Sequence, residues 1–110
     1  MLPEKVIQKA VLDYLGTIPG IYFFRAAAGA VTTSTGRFFK TGRKGLPDIV
    51  CCLPKRSGDG RIVGGIFVGL EIKNEKGRQS PVQKEAQKQI EEAGGHYYII
   101  RSLKDVKEII

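Results

Sequence analysis

At 110 residues the chain is long enough for one domain with a core of its own and too short for two. Hydrophobic residues at 42% and charged residues at 26% exclude wholesale disorder. The 18 Lys and Arg against 11 Asp and Glu leave a formal charge of +7, which suits a polyanionic partner, either nucleic acid or an acidic membrane surface.

From Pro3 to Leu15 the apolar residues Ile7, Val11, Tyr14 and Leu15 recur at helical spacing, with Pro3 suited to the first turn and Gly16 to the stop. The short aromatic and β-branched run Ile21 to Phe24 follows a Pro19-Gly20 turn and is predicted as a strand. Ala26 to Gly45 is rich in Gly, Ser and Thr. It carries Arg37, Lys40, Arg43 and Lys44 around Phe38-Phe39, and is expected to be a mobile basic loop or a hairpin.

Pro47 to Leu53 is apolar throughout, the pattern of a central strand buried on both faces. Ser57-Gly58-Asp59-Gly60 then predicts a turn into a long strand from about Arg61 to Lys73, and the two strands should pair as a hairpin. Ser80-Pro81 opens a second helix with Val82, Ala86, Ile90 and Ala93 as its expected buried stripe and Gly94-Gly95 as its stop. His96 to Ile100 is a last strand, and Leu103 to Ile110 a closing helix. The order implies one α/β domain over residues 1–110, a mixed sheet flanked by helices.

The longest uncharged apolar stretches, such as Ile62 to Leu70, are shorter than a membrane span and broken by glycines, so no membrane association through a span is expected. The first residues lack the apolar run and cleavage site of a signal peptide, which predicts a cytosolic protein. Cys51 and Cys52 are neighbours on a strand and point to opposite faces, so they are expected to be small buried hydrophobes, not a disulfide. With His96 the lone histidine, no zinc-ligand set exists, and any metal must be held by oxygens.

Glu71-Ile72-Lys73 closes the long strand, and the period of two places Glu71 and Lys73 on one face. Asp48 opens the preceding strand, so a hairpin brings its start close to the far end of the next. Two carboxylates and an ammonium then converge, a set suited to phosphodiester hydrolysis. Mg²⁺ prefers oxygen ligands and commonly takes one or two carboxylates, and a nearby Lys can orient a hydroxide or balance developing negative charge. Taken alone, Glu-x-Lys on a strand is more often a solvated ion pair worth ~0–1 kcal/mol. The conjunction with Asp48 and the flanking basic loops favours the catalytic reading. Glu4 continues the apolar stripe of the first helix, which makes it either a metal-site acid or a first-turn acid complementing the helix dipole.

The ordered set Gly42-Arg43-Lys44-Gly45-Leu46-Pro47-Asp48-Ile49-Val50, Leu70-Glu71-Ile72-Lys73, Gly77-Arg78-Gln79-Ser80-Pro81-Val82-Gln83 and Ala93-Gly94-Gly95 resembles the VRR-NUC domain. The likeness runs from Glu4 to about Asp105 and is to the stand-alone type found in phages and bacteria. It implies a PD-(D/E)XK restriction-endonuclease-like core, a divalent-metal site for Mg²⁺ or Mn²⁺, and DNA as substrate in a bacterial cell or phage-infected host. Asp48, Glu71 and the backbone carbonyl of Ile72 would be metal ligands, with Glu4 the first-helix acid, Lys73 the catalytic lysine and Gln83 the glutamine of the second helix.

Gln83 also fits a capping box with Ser80. Arg37, Lys40, Arg43, Lys44, Lys76 and Arg78 are the candidate phosphate contacts. A stand-alone nuclease with one site per chain is expected to work as a symmetric homodimer on branched, four-way DNA, with Phe38-Phe39 and Ile109-Ile110 as candidate apolar contacts. The rival expectation is a non-cutting DNA-binding module or an inactive subunit that keeps the fold and the basic surface.

Overall fold

The computed structural model describes all residues except Ala27, Ala28, Thr33, Arg37, Gly42 and Arg43, and the backbone alone of Gly29–Thr32 and Phe38–Thr41. In chain order the elements are α1 (Glu4–Leu15), β1 (Tyr22–Arg25), β2 (Gly29–Thr32), β3 (Phe38–Thr41), β4 (Ile49–Arg56), β5 (Ile62–Ile72), α2 (Pro81–Glu92), β6 (His96–Ile100) and α3 (Leu103–Ile109). A four-stranded sheet runs β1-β4-β5-β6, in which β1 and β5 each pair antiparallel with β4 and β6 pairs parallel with β5. The parallel step requires a crossover, and α2 supplies it. β2 and β3 form a separate antiparallel ribbon, so the backbone of the basic segment takes the hairpin form of the two expected.

One face of the sheet carries the core. Ile49 and Cys51 from β4, Val68, Leu70 and Ile72 from β5, and Ile100 from β6 pack against Ile7, Val11 and Leu15 of α1 and Val106 of α3. The i, i+4, i+8 spacing in α1 is what places its three buried side chains on one stripe. Ile109 and Ile110 lie half-buried against this cluster and belong to the core, so they do not form an exposed apolar contact.

The other face is thinly covered, and two expectations fail there. α2 has no buried residue: Val82 is 46% exposed and Ala93 is exposed, so the predicted stripe only skirts the sheet. β4 is central in order but buried on one face alone. Cys51 is fully buried, whereas Cys52, paired between Tyr22 and Phe67, is exposed. Periodicity identified the apolar side of each element without revealing how little α2 would cover. Among the described residues, no helix is long and apolar enough to cross a membrane.

Candidate active site

The β4–β5 register decides where the acids meet. Ile49 pairs with Leu70, so Asp48 stands one residue before that pair and Glu71 one residue after it, neighbours at the same end of the hairpin. Asp48 is fixed from both sides: its backbone carbonyl accepts from Ala26 N–H at 2.9 Å, and its Oδ2 accepts from Ile72 N–H at 2.7 Å. The carboxylate thus continues the β4–β5 ladder with its side chain.

Two glycines permit the approach to it. Gly45 sits at φ +77, and a Cβ there would meet the Val82 carbonyl oxygen at 2.5 Å, which only glycine avoids. A Cβ on Gly69 would meet Pro47 Cγ at 2.8 Å, so its bare backbone lets the buried Pro47 lie over the sheet and aim Asp48.

Glu71 is 2% exposed and is gripped by polar groups. Gln83 Nε2 donates to its Oε1 at 3.0 Å, Tyr97 O–H donates to its Oε2 at 3.3 Å, and Lys73 Nζ lies 3.8 Å from Oε1. Burial, followed by the charge of Asp48 and a carboxyl–carboxyl hydrogen bond with it, pushes the Glu71 carboxyl up to about 8, with Lys73 and Tyr97 opposing. Burial likewise raises the Tyr97 hydroxyl well above its ordinary value.

Gln83 makes the capping box, and a different atom of the same side chain reaches Glu71. Ser80 Oγ accepts from Gln83 N–H, Gln83 Oε1 accepts from Ser80 N–H at 2.9 Å, and the remaining Nε2 serves Glu71. The capping box therefore orients the amide that the buried acid needs.

Beside Asp48 opens a cleft of about 450 Å³ between the start of α1 and the ends of β1 and β5, lined by Glu4, Lys5, Gln8, Arg25, Asp48 and Ile72. Glu71 and Lys73 stand behind it, outside the lining. Glu4 Oε2 faces Asn74 N–H at 3.4 Å, and the turn it meets is pinned by Arg101, whose guanidinium donates to the carbonyls of Asn74 at 2.6 Å and Gly77 at 3.0 Å. Among the described residues, no group of three or more His, Cys, Asp or Glu side chains is close enough to hold a metal ion.

Tyr97, Arg101, Asn74, Lys5 and Arg25 were not singled out from the sequence. Tyr97 meets Glu71 only through the parallel β5–β6 register, and Arg101 reaches the turn from beyond the end of β6. Neither relation leaves a local signal.

Of the candidate phosphate contacts, Arg37, Arg43 and the side chain of Lys40 lie outside the described residues. Lys44 is exposed and lines a separate groove of about 410 Å³ under α2, with Leu46, Pro47, Phe67, Ala86 and Ile90 among its other walls. Lys76 and Arg78 are exposed on and just after the turn that follows Lys73.

No protein-family model matches the sequence, and no curated protein matches it. Among solved structures, a VRR_NUC domain superposes with a TM-score of 0.64 at 20% identity, covering 96% of this chain and 91% of that one. The fold is that of a VRR-NUC domain. Its sheet, with helices on both sides, holds Asp48, Glu71 and Lys73 at one end of the β4–β5 hairpin, where the order of motifs along the sequence led them to be expected.

Two carboxyl groups, and no third among the described residues, are the acidic donors the site brings together. They are those of Asp48 and Glu71, crowded together with a single ammonium to offset them, and oxygen-only sites of this kind suit Mg²⁺ or Mn²⁺.

Proposed function

We propose that this VRR-NUC-fold domain is a metal-dependent endonuclease that hydrolyses DNA phosphodiester bonds. The observation that carries the reading is the junction of Asp48, Glu71 and Lys73 at one sheet end, beside a cleft with both acidic and basic walls. Asp48 and Glu71 would hold the ion. Ile72 would add its backbone carbonyl, since its side chain is in the core while the residue lines the cleft. When bound, Mg²⁺ or Mn²⁺ supplies positive charge to the phosphoryl oxygens and lowers the pKa of water.

The chain's own residues do the rest. Lys73, 13% exposed, keeps its ammonium 3.8 Å from Glu71, placed to offset negative charge that develops on phosphate. Gln83 and Tyr97 orient the Glu71 carboxyl, and the Ile72 N–H orients that of Asp48. Glu4 shapes the cleft wall and sets the turn after Lys73 through Asn74.

A branched substrate and a homodimer are part of this reading, because one site per chain cuts one strand at a time. Tyr22 at 70%, Phe24 at 47% and Phe67 at 43% exposed share the thinly covered sheet face and support a second copy docking there. A cytoplasmic site of action in a bacterial or phage-infected cell belongs to the same proposal.

A second reading makes the acid cluster a strut inside a non-cutting DNA-binding domain. It is favoured by Glu71 being 2% exposed and outside the cleft lining. Incubation with duplex, flap and four-way DNA in Mg²⁺, Mn²⁺ or EDTA separates the two. Metal-dependent cleavage lost in Asp48→Ala supports the nuclease, and binding without cleavage under every condition supports the strut.

A further inference from the structure

Two cations that belong to no basic run in the sequence stand on the walls of the cleft beside Asp48. Lys5 comes from the first turn of α1 and Arg25 from the last residue of β1. The β1–β4 ladder sets Arg25 opposite Ile49, next to Asp48, whose carbonyl accepts from Ala26 N–H, and the start of α1 sets Lys5 on the wall of the same cleft.

Both side chains are exposed. The same cleft contains Glu4 and Asp48, yet among the described residues neither Lys5 nor Arg25 forms an ion pair with them. Cations present merely to neutralise the acids would pair with them. A cleft walled by carboxylates alone would also repel a polyanion, so a nucleic-acid strand passing Asp48 needs positive charge on its flanks.

We propose that Lys5 and Arg25 form a phosphate clamp that seats the backbone of the strand to be cut beside Asp48. Gln8, one helical turn after Lys5, lines the same wall and offers an amide to the same backbone. The proposal rests on the nuclease reading for the fate of the strand and assigns DNA backbone phosphate as the ligand. The clamp is distinct from Lys44, which lines the α2 groove. Arg supplies a planar fork for two phosphate oxygens and Lys a point charge, a pairing that fixes register on a backbone without reading bases.

The test compares wild type, Lys5→Gln/Arg25→Gln, the charge-keeping Lys5→Arg/Arg25→Lys, and Lys55→Gln. Lys55 stands six residues along β4 from Ile49, about 20 Å from the cleft end at strand rise. Binding of a labelled duplex and of a four-way junction is measured in EDTA at several salt concentrations, and single-turnover cleavage is measured in Mg²⁺.

The double Gln variant should bind roughly tenfold more weakly near 0.1 M salt, with a log–log salt slope shallower by about one for each phosphate released. Its cleavage rate at sub-saturating protein should fall in step with the loss of binding, because a clamp acts on seating. The charge-keeping variant should recover most of the affinity, and Lys55→Gln should behave as wild type.

An unchanged slope in the double Gln variant refutes the clamp. So does an equal loss in Lys55→Gln, which would mark a general charge effect. Absence of cleavage by wild type in any metal refutes the nuclease reading instead, and the binding arm still decides whether the two residues hold phosphate.

Discussion

Replacing Glu71 by Gln keeps the shape of a buried side chain and removes one ionisation, so it isolates the cost of placing that carboxyl where it is. The folded chain holds the Glu71 proton until about pH 8, against an ordinary value of 4.5. In the unfolded chain the proton leaves near the ordinary value. The native state therefore binds more protons between these limits, and stability from this group is fully present below pH 4.5 and lost as the pH rises to about 8. Each pH unit in that window is worth about 1.4 kcal/mol, so the whole effect is of order 5 kcal/mol.

That is a large share of the roughly 5–15 kcal/mol that stabilises a typical domain, and it is measurable. The assay is urea unfolding of wild type and Glu71→Gln in EDTA from pH 4.5 to 8.5. The stability advantage of the variant should grow across the range from near zero to several kcal/mol. Mn²⁺ at pH 8 should stabilise wild type and do so much less for the variant, because a cation favours the ionised carboxylate. Parallel pH–stability curves for the two proteins would refute the argument.

Asp48→Asn and Lys73→Ala should each abolish metal-dependent cleavage and leave a cooperative melt, checked by gel assay and circular dichroism. Gln83→Glu keeps an acceptor for Ser80 N–H but sets a second carboxylate against Glu71, so turnover should fall while the helix persists; Gln83→Ala should cost about 1–3 kcal/mol in denaturant unfolding by losing the cap and the donor together. Arg101→Met leaves the carbonyls of Asn74 and Gly77 without their charged donor. It should cost about 2–4 kcal/mol and reduce activity by loosening the turn between Lys73 and Glu4, seen as faster amide exchange at residues 74–77. Gly45→Ala, strained at φ +77 and blocked by the Val82 carbonyl, should destabilise by at least ~1–3 kcal/mol in thermal unfolding.

Local chemistry determined a good deal by itself. The stripe Ile7, Val11, Leu15, the turn at Ser57 to Gly60, the Ser80-Pro81 helix start and the strand from His96 to Ile100 follow from spacing, capping and turn residues that act within a few positions. The approach of Asp48 to Glu71 was also legible, since a hairpin with a recognisable turn leaves little freedom in which strand ends meet.

What the tertiary structure decided is everything that depends on how far one element covers another and on pairings without a local turn. Cys52 and the α2 stripe have the composition of buried positions but stay open, because burial depends on the element packed opposite. Tyr97 reaches Glu71, Arg101 reaches the Asn74–Gly77 turn, and Lys5 and Arg25 line one cleft, across separations of 26, 27 and 20 residues. The first two depend on the parallel β5–β6 step and the third on docking α1 beside the end of β1. Such long-range placements are selected by the shared core, and no short-range propensity encodes them.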